Sequence, residues 1–281
     1  MPTIRYGEGL NVLVAAKGHP YLRDSFMAIF DTMPGIACTR VEQPAAARLM
    51  NPEGMAGFDA LVLYDMPGVD FAAADPPAFV APDAAFKAGF LALLDSGKGV
   101  VALHHAIAGW PAWPEYAELL GGRFLYKPGR LRGSDRPDSG YRHDVTHQVT
   151  VLRPDHPIAA GLPPAFTLTD ELYLFEVFED LVEPLLASDA AFTADVFYSA
   201  ARAVAGKMFS NAGWRHPAGS NLVGWTKRAR ASPLVYLQPG DGPPTYADPT
   251  YRRLVENAIR WAASPEALAW ARQPASGSSA E

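Results

Sequence analysis

Over the first 125 residues, short apolar runs alternate with segments whose apolar residues recur at helical spacing, and polar turns separate them. Asn11–Ala16 (NVLVAA) reads as a strand, and Tyr21–Met33, with Leu22, Phe26, Ile29 and Phe30 on one face, as the helix behind it. Ile36–Val41 is a second strand, Ala45–Met50 a short helix, and Asp59–Tyr64 a third strand that delivers Asp65 at its carboxyl end. Pro67–Pro82, rich in Ala, Asp and Pro, reads as a loop, Asp83–Leu94 as a helix with Asp83 at its N-cap, and Gly99–Leu103 as a fourth strand. Uninterrupted apolar strands alternating with helices predict an α/β chain with a doubly wound parallel sheet.

The second half loses that rhythm. Phe124–Gly140 is a long polar loop, while Asp144–Leu152 (DVTHQVTVL) alternates like a half-buried antiparallel strand. Thr167–Phe175 and Glu183–Leu186 follow in the same style, Ala190–Pro217 reads as an irregular insertion, and Asn221–Trp225 with Pro233–Gln238 as a hairpin-like return to the sheet. Pro249–Ala262 is an amphipathic helix that closes the fold. The organisation expected is one α/β domain over residues 1–265, mainly parallel with antiparallel additions, and a polar tail over 266–281.

Composition narrows the function classes. Of 281 residues 49% are hydrophobic, enough for a large core, and a formal net charge of −6 leaves no electrostatic footprint for nucleic acid. The one basic patch, Lys227, Arg228 and Arg230, is too small to alter that. Cys38 is the single cysteine, so neither an intramolecular disulfide nor a thiolate metal cluster can form. Met1–Leu10 lacks the apolar stretch of a secretion signal, and no run reaches the ~18 apolar residues of a membrane span. A cytoplasmic location with no membrane partner is expected.

Candidate chemistry gathers at one edge. The fourth strand runs into His104-His105, and the carboxyl ends of parallel strands are where open α/β sheets place their ligands. One such histidine could be an ordinary core residue. Successive strand side chains point to opposite faces, however, so only one of the pair can share the core face. His19, after the first strand, and Asp65 belong to the same edge, and Trp110, Trp113 and Tyr116 supply flat surfaces suited to a sugar ring. Asp170-Glu171 places two carboxylates inside an apolar run, either a turn into a strand or a metal or base position. His143 and His147 would lie roughly 13 Å apart along a strand at ~3.3 Å per residue, too far to share one ion unless the strand begins after His143. His156-Pro157 reads as a structural turn.

These residues resemble a known family. GKGVVALHHA with WPEYAELLGGRF, then HPIAAGLPPAFTLTDELYLF and YADPTYRRLVENAIRWAA, are similar to the ThuA-like (trehalose utilisation) family over about residues 10–263. The resemblance implies a flavodoxin-like fold of the class I glutamine amidotransferase type. In that superfamily a nucleophilic cysteine sits where this chain has Leu103-His104-His105-Ala106, so no glutaminase activity is expected. It further implies sugar metabolism, with disaccharides or their 3-keto derivatives as the substrate class, and a metal in the pocket of some members. Positions matching family motifs are His19, Arg23, Asp24, His104, His105, Asp170, Glu171 and Tyr173. The chain departs from the family at Gln238-Pro239-Gly240-Asp241-Gly242, where many members carry a Gly-His pair. Trp214 and His216 of the insertion are candidate replacements.

The resulting expectation is an enzyme acting on a keto-sugar or glycoside derivative by isomerisation or proton abstraction beside a carbonyl. His104, His105 and Glu171 are the catalytic candidates, and His19, Arg23, Asp65, Trp110, Trp113 and Tyr173 the substrate-binding ones. A divalent ion, Zn²⁺ or Mn²⁺, would be held by His105, His143 and Glu171. No nucleotide cofactor is expected, the partner is a small-molecule sugar, and a homo-oligomer is open. The alternative class is a non-catalytic sugar-binding or regulatory module.

Overall fold

The computed structural model describes residues 9–273. Nine strands make up the main sheet: β1 (Leu10–Lys17), β2 (Ile36–Glu42), β3 (Ala60–Asp65), β4 (Gly99–Leu103), β5 (Gly140–Val151), β6 (Ala165–Leu174), β7 (Glu183–Ser188), β8 (Leu222–Ala229) and β9 (Ser232–Leu237). They lie in the order β6-β5-β7-β8-β9-β4-β3-β1-β2, and a short tenth strand, Tyr198–Ser199, pairs with the start of β5. The helices are α1 (Arg23–Asp31), α2 (Ala84–Asp95), α3 (Pro114–Leu120), α4 (Ala200–Val204), α5 (Pro243–Ala247), α6 (Pro249–Ala262) and α7 (Pro265–Ala271).

β2, β1, β3, β4 and β9 run parallel, in the 2-1-3-4-5 order of flavodoxin-like folds. Every residue of β3, β4 and β9 is buried, as their unbroken apolar sequences require. Helices α1 and α6 cover one face, packing Phe26, Ile29, Leu254 and Ile259 against Val12, Val14 and Val101. Helices α2 and α3 cover the other, with Phe90, Leu93 and Leu119 against Leu13, Leu61 and Val100. Each such side chain stabilises the native state by roughly 1.5–3 kcal/mol relative to exposure. The sheet is therefore wound on both faces, as the alternation of strand and helix predicts. Asp83 caps α2 by accepting from the Phe86 N–H at 2.7 Å.

Beyond β9 the sheet continues antiparallel through β8, β7, β5 and β6. β5 begins at Gly140, four residues before the expected Asp144, because a bulge between Arg142 and Val145 carries the strand through a stretch whose hydrophobic alternation fails. Two further differences concern short elements. Pro265–Ala271 is a helix capped by Ser264, and it buries Ala267 and Ala271 within a segment that reads as polar tail. Ala46–Arg48 forms only a single 3-10 turn where a short helix is expected. Residues 274–281 of the expected tail lie outside the described residues.

Candidate active site

The parallel edge supplies the first side chains. After Leu103 the chain enters a single 3-10 turn, and His104 takes φ 45°, a left-handed conformation that costs a non-glycine residue roughly 1–2 kcal/mol. Two hydrogen bonds hold it there: the His104 carbonyl accepts from the Tyr236 hydroxyl at 2.9 Å, and Nδ1 lies 2.7 Å from the Gln238 carbonyl. A carbonyl can only accept, so Nδ1 carries the proton. Nε2 then faces the Tyr173 hydroxyl at 2.7 Å, Glu171 Oε2 at 3.1 Å and Asp241 Oδ1 at 3.5 Å. Burial opposes a charge on this ring, but hydrogen bonding to Asp241 and Glu171 overcomes it and pushes the pKa up to about 10. His104 is thus a buried imidazolium between two carboxylates.

His105 behaves in the opposite way. Its Nε2–H donates to the Tyr64 carbonyl at 3.1 Å, and burial, followed by the neighbouring charges of His19 and His104, holds its pKa well below the usual histidine value. The ring stays neutral with a buried, unpartnered Nδ1. His19 stacks on it, ring centroids 4.6 Å apart. That position depends on Gly18, whose φ of 107° and close approach to the Met66 carbonyl leave no room for a side chain. His19 Nδ1 donates to the Pro20 carbonyl at 2.9 Å, which leaves the Nε2 lone pair available to a ligand. Burial and the His104 charge lower its pKa.

The antiparallel strands supply the rest. Asp170 and Val145 are in register, as are Leu172 and Arg142, so the β5 bulge sets His143 and Asp144 opposite Glu171. Asp144 has φ 55°, and the bulge brings His143 Nδ1 to 3.4 Å from Glu171 Oε1 while His147 turns away to Ser188 Oγ at 2.8 Å. Asp170 faces elsewhere: its oxygens accept from the backbone N–H of Gly240 at 2.5 Å and of Asp241 at 3.1 Å. Gly240 fits only because it has no side chain, for a Cβ there would stand 2.3 Å from the Tyr251 hydroxyl. Asp170 therefore fixes the loop after β9 that carries Asp241.

The outcome is a donor set of His19, Glu171 and Asp241, whose ligand atoms lie within 4.8 Å of one another. Burial raises the Asp241 carboxyl, but the hydrogen bond and charge of His104, with the charges of His19 and His143, bring it below the usual carboxylate range. A cavity of about 150 Å³ opens beside them, lined by His19, His143, Glu171, Tyr173, Tyr126 and Met208 among others. Of the seven non-glycine residues with positive φ among the described residues, His104, Asp144 and Phe209 lie at or against this site, which is where backbone strain tends to be kept.

A profile of the family described as trehalose utilisation matches residues 11–262. The chain belongs to the ThuA family. It is similar in fold to a ThuA-like protein from Parabacteroides merdae, with 15% identity, 92% of this chain and 91% of that one covered, and a TM-score of 0.64. A ThuA-like protein from Bacteroides uniformis follows at 17% identity, 93% and 95% coverage and a TM-score of 0.57. A cytoplasmic protein of Salmonella typhimurium aligns at 11% identity, 90% and 99% coverage and 0.55. No curated protein matches the chain. Among the described residues no helix is long and apolar enough to cross a membrane.

Several sequence-derived candidates sit elsewhere in this ThuA fold. Trp113 is buried against Phe86, Phe90 and Tyr116, and Trp110 lines a different cavity, so neither offers a face to the histidine pocket. Both follow the elbow, but the 3-10 turn carries them across to the α2 side. Arg23 and Asp24 pair with each other at 3.0 Å in solvent, because the first turn of α1 points outward. Asp65 is buried and accepts from Gln43 Nε2 at 2.6 Å instead of lining the pocket. His105 is not one of the converging ligands: its Nε2 is committed to the Tyr64 carbonyl and its Nδ1 is buried. Trp214 donates to Asp138 at 3.1 Å and His216 is exposed, so the insertion contributes Met208 and α4 to the pocket instead. His156 accepts from Ile158 N–H at 3.2 Å, the turn its sequence suggests. Cys38 lies on β2, its thiol pushed up to about 12 by burial and by Asp31. Asp241 is the residue sequence reasoning missed. The available signal was its place just after a parallel strand, on the same edge as His19 and His104.

Proposed function

We propose that this pocket abstracts a proton beside the carbonyl of an oxidised sugar, a keto-sugar or keto-glycoside, as a step in sugar metabolism. The observation that carries the reading is the convergence from four strands of the sheet: His19, Glu171 and Tyr173 line one cavity, and His104 and Asp241 contact or adjoin them from behind. The cavity falls below the ~300–1,000 Å³ of sites for drug-sized ligands, which suits a single sugar ring.

Glu171 is the group placed to take the proton, since its carboxylate lines the cavity and His104 and His143 hold its two oxygens. Tyr173 is the donor for the oxygen that becomes enolate-like: burial, and then the Glu171 charge, raise its pKa well above the usual tyrosine value, so it keeps its proton. His104 positions both and offsets the negative charge of the carboxylates. His105, neutral and shut away from the cavity, supports the His19 ring by stacking.

The residues fit a divalent ion. Nitrogen and carboxylate donors suit Zn²⁺ or Mn²⁺, and ligands about 2.0–2.2 Å from one ion stand at most ~4.4 Å apart, so the 4.8 Å spread of His19, Glu171 and Asp241 needs only a small contraction. Such an ion would polarise the substrate carbonyl. The Nδ1–H to Pro20 bond of His19 orients that ring as second-shell bonds orient metal ligands.

The test is solvent deuterium incorporation into a panel of keto-sugars, read by mass spectrometry. Glu171→Gln should lower the exchange rate ~10²–10⁴-fold, the usual contribution of a general base, without unfolding the protein. If unmodified sugars bind while no keto-sugar exchanges, the pocket belongs to a binding module and the enzymatic reading is wrong.

A further inference from the structure

A second cavity of about 500 Å³ opens at the same sheet edge but on the α2 side, and it shares no lining residue with the histidine pocket. Its volume lies within the range of small-molecule sites. Gln43, just after β2, Met50 and the start of α2 form its walls, with Phe86 and Trp110 supplying the aromatic surface, ring centroids 5.0 Å apart.

Trp110 is held in place with unusual effort. Its φ is 45°, its N–H donates to the Pro67 carbonyl at 2.7 Å, and its carbonyl accepts from Trp113 N–H at 2.9 Å. Arg123 is buried and, among the described residues, has no carboxylate partner, and burial lowers its pKa to about 10. Its guanidinium donates to the carbonyls of Gly109 at 2.6 Å, Trp110 at 3.4 Å and Trp113 at 3.3 Å. A buried cation and a strained residue together fix one half-exposed indole against an open cavity, an arrangement that packing alone does not call for.

The polar groups around the cavity define what it would take. The Asp83 carboxylate is committed to the α2 cap, and the Asn51 side chain to Arg48 O and Gly54 N. Arg48 is exposed at the cavity and, among the described residues, its guanidinium makes no ion pair or hydrogen bond. Gln43 donates through Nε2 to Asp65 and keeps Oε1 for a hydroxyl. An indole face, one uncommitted guanidinium and one amide acceptor match a ring with an apolar face, hydroxyls and a single anionic group. We propose that this cavity is a second ligand site, distinct from the histidine pocket, that binds a monosaccharide phosphate with its ring on Trp110 and its phosphate at Arg48.

The proposal is independent of the proton-abstraction reading, and isothermal titration calorimetry with glucose 6-phosphate, glucose and inorganic phosphate tests it. The phosphorylated sugar should bind at least tenfold more tightly than either fragment, and Arg48→Gln should weaken it about tenfold with no change in the Tm of the free protein. Trp110→Ala should abolish binding, but it also removes packing against Phe86, so the exposed Arg48 variant carries the test. Binding should persist in Glu171→Gln. Inorganic phosphate binding as tightly as the sugar phosphate, an unaffected Arg48→Gln variant, or loss of binding in Glu171→Gln would each overturn the proposal.

Discussion

The two halves of the sheet contribute to the pocket by different means. The five parallel strands present side chains at their carboxyl ends, where the chain must leave the sheet: His19 after β1, His104 after β4, Asp241 after β9. The antiparallel wing presents Glu171 and Tyr173 from within a strand and His143 from a bulge. In the parallel half, topology brings the residues to one edge, and local backbone conformations such as those of Gly18, His104 and Gly240 finish aiming them. In the antiparallel wing, register aims them, and a one-residue slip would turn Glu171 into the opposite face. The site is built where an edge determined by topology meets a strand determined by register, and Asp170 ties the two by bonding the Gly240-Asp241 backbone.

Burial pushes a carboxyl in each half up to about 6, Asp65 on the parallel edge and Asp170 on the antiparallel wing, but the contrast predicts different consequences of removing them. Asp65, on the parallel edge, is pushed up to about 6 by burial, against the Gln43 hydrogen bond that lowers it. Its folded pKa exceeds the unfolded value of 3.8, so the stabilisation it gives is full below about 3.8 and is lost as the pH rises through about 6, a difference of roughly 3 kcal/mol. Asp65→Asn should therefore raise stability at pH 7.5 by up to that amount and leave it unchanged at pH 3.5, measured by urea unfolding. An equal effect at both pH values would show that Asp65 does not titrate in this window. Asp170→Asn is the counterpart across the sheet. It touches no candidate ligand atom, yet loosening Asp241 should weaken Mn²⁺ binding 10–100-fold, the usual cost of losing a second-shell partner, and calorimetry that shows no change would break the link between the halves. The smallest effect is expected at the bulge: Asp144→Val, a β-branched residue at φ 55°, should cost about 1–2 kcal/mol, whereas Asp144→Gly should be neutral or slightly stabilising.

The same contrast explains what could be read from the sequence. Unbroken apolar runs such as Gly99–Leu103 and the amphipathic Pro249–Ala262 coincide with the observed elements, because burial on both faces, or on one stripe, leaves an unambiguous pattern. His19, His104, Glu171 and Tyr173 were legible as strand-end residues or family matches. The bulge was not, since one extra residue looks like the end of an alternation, and the expected spacing of His143 and His147 along one face fails there. Trp110 and Trp113 misled because a 3-10 turn of five residues reverses which side of the sheet the following chain reaches. Asp241 stands where many family members carry a histidine, and nothing in the local sequence marks its role, although a carboxylate serves a metal or an imidazolium equally well.

The most direct test of a single site assembled from both halves is anomalous diffraction at the manganese edge from crystals grown with Mn²⁺. The arrangement predicts one peak about 2.0–2.2 Å from His19 Nε2 and from carboxylate oxygens of both Glu171 and Asp241. A peak bound to Glu171 and His143 without His19 or Asp241 would show that the antiparallel wing acts alone and would contradict the account.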